Sequence, residues 1–279
     1  MSLKIEVETK LDSDPCVIAW DDKLFVGTAN GSIKTFDAKL SPKESWAAHT
    51  VQLFALAAGG GRVYSASNDG GVRVWSPAGQ KITELPTSGD VGTLQVFDKC
   101  LYAGDEDGNV RVYENNVQKA QYNVIEEVKD LWLDPPYLYT ARDLDVTVTE
   151  ITPEESKTRF TTRHTMEGRT PLRVTNNRLL TMARGGNTLR LHDASEHGEF
   201  KMIDELKISD MIITSMSTTA DYVWTGGWDG YIKRWYIAGD KLKAAGEINL
   251  NGCVNALVAV SNRVYAAVAG GRVVCIVLE

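Results

Sequence analysis

Apolar and polar positions alternate in short runs along the whole chain, and the runs recur as a unit. The unit is an aliphatic–aromatic pair, small residues, an Asp/Asn-Gly turn and a second alternating run. It reads LFVGTANGSIKTF at 24–36, VYSASNDGGVRVW at 63–75 and LYAGDEDGNVRVY at 101–113. Later copies are LYTARDLDVTVTE at 138–150, LLTMARGGNTLRLH at 179–192, VWTGGWDGYIKRW at 223–235 and VYAAVAGGRVVCI at 264–276. Two β-rich runs about such a turn predict a hairpin. The turns centre on Gly31, Gly70, Gly108, Leu144, Asn187, Gly230 and Gly271, in steps of 39, 38, 36, 43, 43 and 41 residues.

A second pattern precedes each hairpin. Apolar residues stand at relative positions 0, +3 and +5: Val51, Phe54, Leu56; Val91, Leu94, Val96; Val128, Leu131, Leu133; and Val254, Leu257, Ala259. This run is assigned to strand a, and the hairpin strands become b and c. A weaker outer strand d is expected at 44–48, 81–85, 117–123, 157–162, 199–206 and 242–249. The seventh unit lacks one, while an alternating run at 3–9 is spare. A period near forty residues signals one supersecondary unit stacked repeatedly. The expected fold is all-β: a seven-bladed propeller of four-stranded antiparallel blades, closed by an N-terminal strand that completes the last blade. The seven units consume residues 1–279, so a single domain is expected.

These residues resemble the WD40-repeat family. The resemblance implies a Trp ending strand c, an Asp in the b–c turn, a Ser or Thr in strand b and a His before strand a, hydrogen-bonded together. Repeat two supplies Trp75, Asp69, Ser65 and His49. Repeat six supplies Trp235, Asp229 and Thr225 without the His, and repeat three supplies Asp107 with Tyr113 for the Trp. All are read as blade supports. The Gly-His dipeptide of the family is absent, so the chain is a divergent member in this reading.

Net charge of −7 and a pI near 5.3 argue against a dedicated nucleic-acid binder. Four cysteines without C-x-x-C spacing suggest reduced, buried thiols in a cytoplasmic or nuclear protein. No apolar run approaches a membrane span, and the first ten residues do not read as a signal peptide. No phosphate loop, nucleophile elbow or metal motif is present, so no cofactor, metal site or catalytic residue is assigned. Ionisable residues on strand a are few (Asp130, Arg173 and Asp210), which speaks against the rival reading of a propeller enzyme with a central-channel site.

The remaining expectation is a non-enzymatic protein-interaction scaffold: a monomeric propeller within a larger complex. The resemblance implies that residues just before the turn Asp face a ligand on the top rim. These are Asn68, Glu106, Arg142 and Trp228, with Arg184 in repeat five. Trp228 at a hairpin tip is the expected apolar anchor. Residues 141–190 hold nine bases, eight of them Arg, against six acids. Arg142 and Arg184, with Arg163 and Arg169 nearby in sequence, therefore suggest an acidic or phosphorylated protein or peptide partner. Nucleic acid on the same side is the weaker alternative.

Overall fold

The computed structural model describes residues 2–220 and 222–278. Strand β1 (Leu3–Lys10) comes first. The first sheet follows with β2 (Pro15–Asp21), β3 (Lys23–Thr28), β4 (Ser32–Phe36) and β5 (Pro42–Ala47). The second has β6 (Ala55–Gly59), β7 (Arg62–Ser67), β8 (Gly70–Trp75) and β9 (Lys81–Leu85). The third has β10 (Val91–Phe97), β11 (Cys100–Asp105), β12 (Asn109–Glu114) and β13 (Val117–Asn123). The fourth has β14 (Asp130–Asp134), β15 (Tyr137–Ala141), β16 (Asp145–Ile151) and β17 (Phe160–Glu167). The fifth has β18 (Arg169–Thr175), β19 (Arg178–Met182), β20 (Thr188–Asp193) and β21 (Met202–Lys207). The sixth has β22 (Ile213–Thr218), β23 (Tyr222–Gly227), β24 (Tyr231–Ala238) and β25 (Lys241–Asn249). The last strands are β26 (Val254–Val260), β27 (Arg263–Val268) and β28 (Arg272–Leu278). Each sheet has four strands in sequence order, except the seventh, whose order is β1-β28-β27-β26.

The spare N-terminal run thus completes the last sheet. β1 lies antiparallel to β28, from Leu3 opposite Leu278 to Lys10 opposite Arg272. Its alternate residues are half-buried and exposed in turn. Glu6 and Glu8 fix it further through Arg263 at 3.0 Å and Arg272 at 2.7 Å.

Tertiary contacts sort the chain into two compact units. One is Cys16–Met166, with the first four sheets; the other joins Met1–Pro15 to Glu167–Glu279 and holds the last three. Within each, neighbouring sheets bury apolar faces against one another. In the first unit Phe25, Ile33 and Leu53 meet Val63 and Trp75; Val72, Val74 and Leu85 meet Val91 and Leu101; Val110, Val112 and Tyr122 meet Leu131 and Leu138. In the second, Leu189 and Leu191 meet Met216 and Trp235, and Trp224 and Ile232 meet Val264 and Val274. Each fully buried side chain of this kind contributes about 1.5–3 kcal/mol. Sheet stacking is therefore what holds each unit together.

A recurrent glycine makes room for this stacking. Added Cβ atoms at Gly27, Gly104 and Gly226, near the ends of their b strands, would lie 2.7, 2.6 and 2.6 Å from Val17, Val128 and Val254. At Gly27 the crowding comes equally from Leu53, at 2.8 Å. This corrects the apolar anchor expected in the second sheet. Leu53 is fully buried and its amide bonds the Thr28 carbonyl, just as Val128 bonds Asp105. Val51 and Phe54, expected inside, are 46% and 43% exposed.

Two outer strands also differ from expectation. In the fourth sheet the strand begins at Phe160, not 157, because Thr152 accepts the Glu155 and Ser156 amides and Lys157 accepts the Gln121 amide of β13. In the fifth, 199–201 turn first: Glu199 and Phe200 have φ of 54° and 53°, and the Phe200 amide bonds the Ser195 carbonyl. None of the four cysteines forms a disulfide, and of them only Cys275 is buried; Cys16, Cys100 and Cys253 are half-buried.

Candidate partner-binding edge

In every sheet the b–c turn and the d–a loop lie at one end, here called the upper edge. The second sheet shows how this edge is stiffened. Trp75 Nε1 donates to Ser65 Oγ at 2.9 Å, Ser65 meets His49 Nε2 at 2.8 Å, and His49 Nδ1 meets Asp69 Oδ1 at 2.6 Å. One neutral tautomer satisfies all three: the Ser65 hydroxyl donates to Nε2, and Nδ1–H donates to the carboxylate. Burial is the largest influence on His49 and lowers its pKa, outweighing the pull of Asp69. Burial works to raise Asp69, yet the Thr50 amide, His49 and the Thr50 hydroxyl together hold its carboxyl well below the usual range.

The sixth sheet reaches a similar end differently. Trp235 Nε1 donates to Thr225 Oγ1 at 2.9 Å. Asp229 accepts from Ser209 at 2.7 Å and from the Tyr231 amide at 3.1 Å, and pairs with Lys233 at 3.3 Å. Ser209 thus stands where repeat two has its His, a substitution that histidine matching overlooks.

In the third sheet the expected support, Asp107, is exposed and accepts a 3.2 Å bond from Ser88. The buried carboxylate is Asp105, two residues earlier. It is fully buried, pairs with the buried Arg111 and accepts the Asn109 amide at 2.7 Å. Arg111 sits six residues on in the facing strand, which draws Asp105 inward and leaves Asp107 to the solvent. Tyr113 replaces the Trp and donates to the Pro86 carbonyl at 3.1 Å.

The expected contact residues separate into two sets, one in each unit. In the first unit Asn68 and Glu106 line one groove of about 340 Å³ with Phe54, Asp90, Glu127 and Lys129. Glu106 accepts the Asp90 amide at 3.1 Å. Lys129 is spent on Asp143, which raises its pKa. Arg142 was expected to read anions. Its side chain is only 17% exposed and is taken up by Glu126 at 3.0 Å and Thr147 at 3.3 Å, so it braces its own loop. Leu144 beside it is exposed.

In the second unit Arg184 is 57% exposed, with Glu167 3.4 Å away. Arg169 donates to the Arg184 carbonyl at 3.3 Å, so these two do meet. Arg163 does not share that edge: it lies along β17 and pairs with Glu150 at 2.6 Å. Arg190 is held by Glu167 and Glu205 at 2.8 and 2.6 Å. Trp228 is 54% exposed, with Met211 at 48% in the adjoining loop. Its amide bonds the Ile212 carbonyl at 3.0 Å, and Gly230 closes the turn onto Gly227 at 3.1 Å, while about half of its side chain faces solvent.

Of the ionisable groups expected on strand a, Asp210 instead lies in a loop, 91% exposed and paired with Lys207 at 2.7 Å. Asp130 and Arg173 belong to different sheets. Among the described residues no three His, Cys, Asp or Glu side chains are grouped to hold a metal ion.

No family model matches the chain. It is similar to the type I inositol polyphosphate 5-phosphatase 13 of Arabidopsis thaliana, 38% identical over 121 residues, which is 42% of this chain. It is also similar to the type II inositol polyphosphate 5-phosphatase 14 of that plant, 37% identical over 60 residues, 22% of this chain. These matches span 10% and 5% of the two enzymes' lengths. The crystal structure of the WD40 β-propeller domain of Doa1 superposes with a TM-score of 0.82 at 13% identity, over 100% of this chain and 97% of that one. The seven four-stranded sheets therefore adopt the fold of a seven-bladed WD40 β-propeller.

Proposed function

We propose that this protein is a non-enzymatic interaction scaffold that binds a protein or peptide through the upper edge of its blades. A propeller fold hosts many functions, so the reading rests on the site. The observation that carries it is Trp228. A large apolar ring stands half exposed on a turn whose Trp228 and Gly230 amides are both bonded, with the exposed Met211 in the adjoining loop. An exposed aromatic on a rigid frame loses little entropy on binding and is a typical anchor.

Arg184 supplies the cationic contact nearby in the same unit, suited to a carboxylate or phosphate of the partner. Asn68 and Glu106 form a separate polar contact in the first unit, beside Phe54. Every 121-residue stretch of this chain is built of blades, so the likeness to the two phosphatases is a likeness to blades. It lends the proposal a module found within larger chains, not their chemistry.

The test is capture from a lysate with wild-type protein beside Trp228→Ala and Arg184→Glu, each first shown to be folded by circular dichroism. Loss of specific partners with either variant is expected. Equal capture by all three would move the site elsewhere. Phosphate release from an inositol polyphosphate, assayed in parallel, is expected to be nil, and release would overturn the non-enzymatic reading.

A further inference from the structure

A second groove lies at the opposite, lower edge, where the a–b turn of the third sheet meets the a–b and c–d turns of the fourth. It encloses about 450 Å³, within the ~300–1,000 Å³ range of ligand pockets. Its walls are apolar: Phe97, Tyr102, Leu133, Pro135, Pro136 and Ile151. They are also fixed. Gln95 accepts the Leu133 amide at 2.7 Å and ties the two inner strands together. The Ile151 amide bonds the Pro136 carbonyl at 3.1 Å, and Thr152 closes the c–d turn. Phe97 presents its ring to solvent, 38% exposed.

The rim of this groove is acidic. Asp98, Glu154 and Glu155 line it, and no Lys or Arg does. Lys119 pairs with Glu154 at 2.5 Å and with Glu114 at 3.2 Å, so Asp98 and Glu155 are the rim carboxylates left for a partner, and Lys99 is not among the lining residues. An apolar slot edged by carboxylates complements an apolar side chain flanked by cations.

We propose that the lower groove between the third and fourth sheets binds a peptide segment in which a large apolar residue is flanked by Lys or Arg. This surface is separate from the upper edge and does not depend on Trp228. The apolar side chain enters beside Phe97, against the floor that Leu133 and Ile151 form, and the flanking cations meet Asp98 and Glu155.

The test is a methyl NMR titration of the Ile- and Leu-labelled protein with Ac-Lys-Arg-Phe-Leu-Lys-Arg-amide and its acidic counterpart, Ac-Glu-Asp-Phe-Leu-Glu-Asp-amide. The basic peptide is expected to shift the Leu133 and Ile151 signals, and the acidic one to leave them in place. Reversing the exposed rim charges with Asp98→Lys and Glu155→Lys should weaken binding about tenfold or more, each lost ion pair and new repulsion adding modestly. Both side chains are exposed, and because Asp98 has φ of 51°, circular dichroism first checks that the variant folds. No shift at millimolar peptide, equal shifts with the acidic peptide, or unchanged affinity in the reversed variant would each overturn the proposal. So would concentration-dependent shifts without peptide accompanied by doubled mass in light scattering, which would assign the groove to a second copy of the chain.

Discussion

The second and sixth sheets carry the same Asp-Gly turn and differ in what stands around it. In the second, His49 links Asp69 to Ser65 and Trp75 in one relay, and the residue before the Asp is the polar Asn68. In the sixth, Ser209 supports Asp229, Thr225 supports Trp235, and the residue before the Asp is the exposed Trp228. Two sets of bonds hold one backbone. Stiffening a blade therefore does not require histidine, and the position before the Asp is left out of the stiffening network. That freedom is what lets one turn end in Asn and another in Trp.

The third sheet stretches the comparison furthest, because its carboxylate is the most deeply placed. Arg111→Ala would leave the fully buried Asp105 without its cation and is expected to cost about 3–5 kcal/mol, read by chemical denaturation. A loss under 1 kcal/mol would mean that the pair is not holding the sheet. His49→Ala comes next, leaving the Ser65 hydroxyl and Asp69 short of partners at about 1–3 kcal/mol.

The same relay gives the second sheet a pH dependence through His49, a residue type that the sixth sheet's support does without. The His49 pKa is lowered from its ordinary 6.5, chiefly by burial, so the unfolded chain takes up a proton that the folded ring refuses. Its share of stability is complete above about 6.5 and drains away as pH falls below that value. Asp69, also lowered, acts in the same direction but further down, below its ordinary 3.8. Denaturation midpoints measured between pH 7 and 5 (~two units about the ordinary His value) should fall in the wild type and fall less in His49→Gln. An equal fall in both would place the titration elsewhere. Ser209→Ala in the sixth sheet should cost only about 1 kcal/mol, with an unchanged pH profile.

Much of this architecture was legible in the sequence. Strands β9 and β13 fall on the expected residues, and β1 was found as the missing partner of the last hairpin. The supports of repeat two were legible because all four groups are of the expected types at the expected spacing. What escaped was decided by side-chain contacts that the repeat pattern does not encode. Val51 and Leu53 are both apolar, and the space left by Gly27 chooses between them. Asp105 and Asp107 are chemically alike, and Arg111 selects the first. Arg142 reads as a free cation in sequence, but Glu126 from the preceding loop pairs with it. The exposure of Trp228 is suggested by a hairpin tip with no obvious strand face to bury an indole, and the side chain is 54% exposed.

Trp228→Ala is the smallest expected perturbation of the fold, within about 0.5 kcal/mol, because no part of the turn's bonding passes through its ring. The sharpest measurement replaces Trp228 with the photocrosslinking residue p-benzoylphenylalanine and compares it with the same replacement at Ile82, an exposed position on β9. Irradiation in cells is expected to give discrete adducts at position 228 and none at 82. Adducts at 82 with none at 228 would contradict the assignment of the partner to the upper edge.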